Sequence, residues 1–159
     1  MIKDNSKTLK LIKDLRTKGK ITDIRNIIQL LSETNDTEII KAISDFLNDI
    51  KQKKVVPIFI EAIKEEKFKN ILYYLVSACW QSGLNFSEHI EVFINVFIKE
   101  EYQTALEAYT VIEEIISENI ISKEDKNKYI ESINLMLNKF DNNKMVLANE
   151  LIKGLSKNN

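Results

Sequence analysis

A helical hairpin recurs about every 32 to 35 residues along this chain, most legibly where VVPIFIEAIKEEKFKNILYYLV is answered by HIEVFINVFIKEEYQTALEAYTV. Val55 and His89 are 34 apart, Lys64 and Lys99 are 35 apart, and Leu72 and Leu106 are again 34 apart, a drift that one extra loop residue explains. A period of this length signals stacked helix pairs, because a single hairpin buries its apolar face only against its neighbours. The sequence therefore constrains architecture far more tightly than activity.

With 159 residues, 44% of them apolar, the chain is long enough to bury a core and is expected to form one domain, 1–159. Three glycines and one proline leave little of the punctuation that strand-rich folds need, and the β-branched residues fall at helical rather than alternating spacing. The expected class is all-α, with nine helices near 5–17, 21–33, 36–49, 53–66, 69–82, 86–99, 103–118, 123–139 and 144–156. Asp36, Ser87 and Ser122 are expected N-caps, and Gly19, Gly83 and Gly154 stand where a left-handed residue would end a helix. Pro57 lies early in its helix, where its missing N–H costs little.

The segment VVPIFIEAIKEEKFKNILYYLVSACWQSG resembles a HEAT repeat, and DTEIIKAISDFLN resembles the second helix of that motif. The resemblance covers four hairpins, about 21–50, 53–83, 86–118 and 122–156, with the first helix as an N-terminal cap. It implies a right-handed α-α superhelix of the HEAT or armadillo-like kind, in which the second helix of each pair lines the concave side. Ile40, Leu72 and Leu106 stand where that family often has arginine, so the likeness implies an architecture and carries no inherited activity.

Charge and chemistry-bearing residues narrow the function. The 23 basic and 24 acidic side chains leave a net charge of −1, which gives no global attraction to nucleic acid or acidic membranes, and only Arg16 and Arg25 supply guanidinium groups. The N-terminal MIKDNSKTLKLIKDL interrupts its apolar residues with lysine, and no window reaches the roughly 20 apolar residues of a membrane span. A lone cysteine, Cys79, excludes an internal disulfide. A cytoplasmic location without membrane association is the expectation.

Catalytic and metal-binding sets are scarce. Zinc needs several Cys or His ligands and the chain has one of each, so no metal or cofactor is expected. A Cys79/His89 dyad is the one formal nucleophile–base pair, but Cys79 shares a helical arc with Ile71, Leu72 and Leu75, which marks it as packing. The carboxylate pairs Glu65/Glu66 and Glu100/Glu101 fall at equivalent turns of the repeat, while Glu113 aligns with Cys79 and is expected at the edge of the core beside a polar partner. The first 20 residues hold seven basic side chains against two acidic ones. Lys3, Lys7, Lys10 and Lys13 form one side of the first helix, as the wet face of a terminal cap requires.

Residues 70–98 carry only Glu88 and Glu91 as formal charges in a chain that is 30% charged. On the fifth helix, Tyr73, Ser77 and Trp80 form a stripe opposite the apolar arc. Its counterparts are Lys41, Asp45 and Asn48 one repeat earlier, and Glu107, Val111 and Glu114 one repeat later. Large aromatics in a charged rim have the composition of a recognition hot spot. The expectation is a non-enzymatic protein- or peptide-binding module, of scaffold, adaptor or immunity type. It would be centred on Tyr73, Ser77, Trp80 and Gln81, with Lys41, Asp45, Glu107, Glu114 and Glu150 as rim, and would take a basic or mixed-charge helix or extended peptide. A different packing folds Trp80 over the Gly83 turn onto Leu84 and Phe86. A different function, suggested by HEAT-like DNA glycosylases, would use Trp80 with Glu113 or Glu114 as a base pocket and the first helix for phosphate contacts. The acidic rim and the shortage of arginine argue against nucleic acid.

Overall fold

The computed structural model describes residues 5–157, apart from the side chains at 5, 17 and 18. Among these residues the chain forms nine α-helices and no strand: α1 (Asn5–Lys18), α2 (Ile21–Glu33), α3 (Thr37–Asn48), α4 (Val56–Lys64), α5 (Leu72–Gln81), α6 (Ile90–Lys99), α7 (Tyr102–Ser117), α8 (Lys123–Asn134) and α9 (Asn142–Ser156). The helical periodicity thus gave the right class and the right number of elements. Lys3, which the sequence places on the basic side of α1, lies outside the described residues.

The helices begin and end for local reasons, several of them foreseen. The Asp36 carboxylate accepts from the backbone N–H groups of Glu38 and Ile39 at 3.0 and 3.1 Å, and the Ser122 hydroxyl accepts from Asp125 N–H at 3.0 Å. Each satisfies donors that have no partner within the helix. Asp141 does the same for α9 by accepting from Lys144 N–H at 2.9 Å, a cap the sequence reading missed by starting this helix at 144. Ser87, expected as a cap, instead opens the 3-10 turn Ser87–His89 that leads into α6. Similar turns, Lys53–Val55 and Glu66–Ile71, precede α4 and α5, and shorten both relative to expectation.

The three glycines do not share one role. Gly83 has φ +65°, the left-handed conformation expected after α5. Gly154 lies inside α9 and is no C-cap, and Gly19 is not left-handed either. At Gly19 the reason for glycine is proximity, since a Cβ there would collide with the Leu15 carbonyl oxygen as the chain leaves α1. The left-handed residue after α7 is Asn119, at φ 56°. Asparagine tolerates that region better than most side chains.

The chain divides into two compact units, Met1–Asn85 and Phe86–Asn159. In the first unit α1 packs on α3, α3 on α5, and α2 on α4, and the consecutive helices α2 and α3, and α4 and α5, are also in contact. This alternation places odd helices beside odd and even beside even. It buries Ile28, Leu31, Ile43, Leu47, Phe59, Phe68 and Leu75 almost completely. The second unit repeats the scheme, with α7 on α9, α6 on α8, and the pairs α6/α7 and α8/α9 in contact. Its interior is Phe93, Phe97, Ile112, Ile133 and Leu151.

Candidate functional site

In the first unit the expected recognition stripe is built on α5 and bordered by α3. Tyr73 is 41% exposed, and its ring meets Tyr74 edge-on at a centroid distance of 5.3 Å and an interplanar angle of 83°. Such an edge-to-face pair restricts the ring without covering it. Trp80, two turns on, is half-buried, between the open hot-spot position and the fully packed one.

Ser77 corrects the expectation, because it is buried at 7% exposure rather than presented to solvent. The physical cause is a short side chain overlaid by a longer one. Gln81 folds back one turn and donates from Nε2 to Ser77 Oγ at 2.8 Å, while Asn48 on α3 donates from Nδ2 to Gln81 Oε1 at 3.0 Å. The three side chains form a fixed polar row across the α3/α5 seam. Gln81 and Asn48 form its solvent side, and both amides are oriented before any partner arrives. The Asn48–Gln81 bond spans 33 residues, as does the Arg16–Asp49 pair that joins α1 to the end of α3.

Asp45 and Lys41 stand one and two turns earlier on α3 than Asn48, and the ammonium meets the carboxylate at 2.6 Å across one helical turn. An exposed pair of this kind contributes little to stability. Each group therefore remains available to a partner at small cost.

The rim residues expected from the next repeat belong to the second unit. Glu107 is half-buried on α7, and Glu114 is exposed, although burial of its carboxyl and then the charge of Glu118 push it above the ordinary carboxylate range. Val111, between them, is buried at 2%, so the equivalents of Ser77 and Val111 are covered in both units. Glu150 lines a cleft of about 340 Å³ with Glu113, Lys126 and Ile116. Glu113 is exposed rather than at the edge of the core, and the Tyr109 hydroxyl one turn earlier on the same helix donates a hydrogen bond to its Oε1 at 2.5 Å. Burial first, then that bond and the charges of Glu113 and Glu150, raise Tyr109 well above an ordinary phenol.

Cys79 is fully buried, its thiol donates to the Leu75 carbonyl at 3.3 Å, and burial drives its pKa well up. A nucleophilic thiol needs the opposite setting. His89 lies half-buried within the 3-10 turn ahead of α6. Among the described residues no cluster of three or more His, Cys, Asp or Glu is placed to hold a metal. No helix of the described chain is long and apolar enough to cross a membrane.

Several polar constellations went unforeseen. Lys144 is buried at 5% exposure, and its ammonium donates to the carbonyls of Ile98 and Glu100 at 2.9 and 2.7 Å while facing the Phe140 and Phe97 rings at 4.4 and 5.6 Å. It thereby closes the C-terminal end of α6, where a cation is favoured by the helix dipole. Burial lowers its pKa despite the nearby charges of Asp141, Glu101 and Glu100. The signal was present in the sequence, since Lys144, Ala148, Leu151 and Leu155 share the buried phase of α9. In the first unit, Lys51 similarly donates to the Ser82 carbonyl at 2.6 Å beyond α5. Arg25 reaches from α2 to Glu61 at 3.2 Å and to Glu65, whose carboxyl is held low first by Lys67 and then by Arg25.

Comparison of the chain with protein-family models, with curated proteins and with solved structures finds no match.

Proposed function

We propose that this chain is a HEAT-like α-solenoid acting as a non-enzymatic protein- or peptide-binding module of the cytoplasm, with the α3/α5 face as its recognition surface. The observation that supports this best is the exposed, edge-restrained Tyr73 on the same helix as half-buried Trp80, bordered by the preset Asn48–Gln81–Ser77 row and the weakly held Lys41–Asp45 pair. Aromatic side chains with few rotatable bonds give contact area at low entropic cost, and oriented amides give register. A helix or extended segment crossing the seam would place an apolar residue against Tyr73 and Trp80 and backbone or amide groups against Gln81 and Asn48. Ser77 contributes by fixing Gln81, since its own hydroxyl is covered.

The test is selection of binders from a displayed library of helical and extended peptides, followed by affinity measurement on variants. Tyr73→Ala should weaken the selected peptides by roughly thirtyfold or more, as truncating an aromatic anchor does, and Gln81→Ala should weaken them less. Binders whose affinity changes by less than about twofold in Tyr73→Ala would show that recognition lies elsewhere. The nucleic-acid alternative gains no specific support: Arg25 is engaged by two carboxylates, and Glu113 already accepts a hydrogen bond from the Tyr109 hydroxyl. Steeply salt-dependent gel shifts would revive it.

A further inference from the structure

Where the turn between α1 and α2 meets the C-terminal end of α3, a cleft of about 330 Å³ opens wholly within the first unit and away from Tyr73. Its floor is apolar: Ile24, Phe46 and Val55 line it and are themselves 5%, 6% and 1% exposed. Its mouth is cationic, with Arg16, Lys20 and Lys51 against the single carboxylate of Asp49. An apolar pocket with a few convergent charges has the composition of a small-molecule site, and the volume is at the lower end of the range for one.

We infer that this cleft binds a small amphiphilic monocarboxylate, its apolar chain on the Ile24–Phe46–Val55 floor and its carboxylate at Arg16. Size limits the chain. At roughly the 30 Å³ that each water takes in the liquid, the cleft holds about ten non-hydrogen atoms. Charge sets the head group. The mouth carries three cations to one anion, and Arg16 already holds a carboxylate there, Asp49 Oδ2 at 2.5 Å from its Nη1. Asp49 thus marks where a ligand's carboxylate would sit. The pair is open to water, with side-chain exposures of 39% and 66%, so exchanging one carboxylate for another sacrifices little stability. Lys51 lines the cleft but commits its ammonium to the carbonyl of Ser82, which does not, whereas the Lys20 ammonium has no ion-pair partner among the described residues. The Gly19 backbone also lines the cleft.

The experiment is an amide NMR titration of the full chain at low ionic strength with sodium octanoate, which has about the right number of heavy atoms, run beside octanol and octylammonium. Octanoate should shift the amides of Gly19, Lys20, Ile24 and Lys51 saturably, while the neutral and cationic chains at the same concentrations should not. Arg16→Gln should weaken octanoate binding by roughly fivefold or more. Asp49→Asn should tighten it, because it removes the competing carboxylate while leaving every cation in place. Both substitutions are at exposed positions, and unchanged melting temperatures would verify the fold. An absence of saturable shifts, shifts centred on other residues, equal binding of octanol, or an Asp49→Asn variant no tighter than the wild type would each overturn the assignment.

Discussion

Single side chains decide more of this structure than their types suggest. A lysine is among the residues least often fully buried, yet Lys144 is buried because two carbonyls at the end of α6 and two aromatic faces replace its water. Lys144→Met keeps the aliphatic stem and removes the donor, leaving the Ile98 and Glu100 carbonyls short of a partner. The desolvation of the charge is relieved at the same time, so the expected net loss is about 1 to 3 kcal/mol in a denaturant titration. Unchanged stability would show that the ammonium only balances its own burial. Tyr109 gives the pH counterpart. Its folded-state pKa lies above the unfolded value near 10, so the folded chain holds a proton that the unfolded chain has released. Stability from this group is fully present below about pH 10 and is lost as pH rises through the folded pKa. Tyr109→Phe should therefore flatten the alkaline fall in urea midpoint as pH rises above about 10, relative to wild type.

At the level of elements, helical period located every α-helix but could not say what covers each one. The stripe Tyr73, Ser77, Trp80 was drawn from period alone, and its middle member is covered because Gln81 lies over it, a local hydrogen bond that no periodicity encodes. The glycines make the same point. Gly83 and Gly154 both follow apolar helical runs and looked alike as stop signals, yet one is left-handed and the other is helical. Opposite effects of the same substitution follow. Gly83→Ala forces a Cβ into the left-handed region and should cost about 1 to 2 kcal/mol, with no steric contribution because nothing lies within 4 Å of that Cβ. Gly154→Ala should stabilise by about 0.5 to 1 kcal/mol, since its Cβ would meet only Ile116 side-chain atoms, at 3.6 and 3.7 Å, in ordinary contact. Thermal melts of the two variants should move in opposite directions, and a destabilised Gly154→Ala would mean that α9 cannot accept a methyl group against Ile116.

Among the described residues, the all-α class and the number of helices were legible because both are carried by apolar spacing, which a sequence displays directly. The partners of the polar side chains were not legible, even where the buried phase of a residue such as Lys144 was. The Lys144 contacts, the Lys51 bond to Ser82 and the Arg25 bridge each join residues between 31 and 46 positions apart, and depend on which turns the packing brings together. The division after Asn85 was invisible too, since no proline- or serine-rich linker marks it and only the Gly83 turn lies nearby. Each unit nevertheless has its own contiguous interior, with Leu75 at 0% exposure in the first and Leu151 at 0% in the second. Truncating either leucine removes transfer energy and leaves a cavity, at an expected cost of about 2 to 5 kcal/mol. Such a loss is felt first by the helices packed directly on the truncated site, α3 and α4 for Leu75 and α7 and α8 for Leu151. Native-state hydrogen exchange should therefore show Leu75→Ala lowering protection in α3, α4 and α5, and Leu151→Ala lowering it in α7, α8 and α9. If either variant lost less than about 1 kcal/mol, the corresponding helix would be packed in a different phase from the one described, and for Leu75 the exposure of Tyr73 on the same helix would have to be reassigned with it.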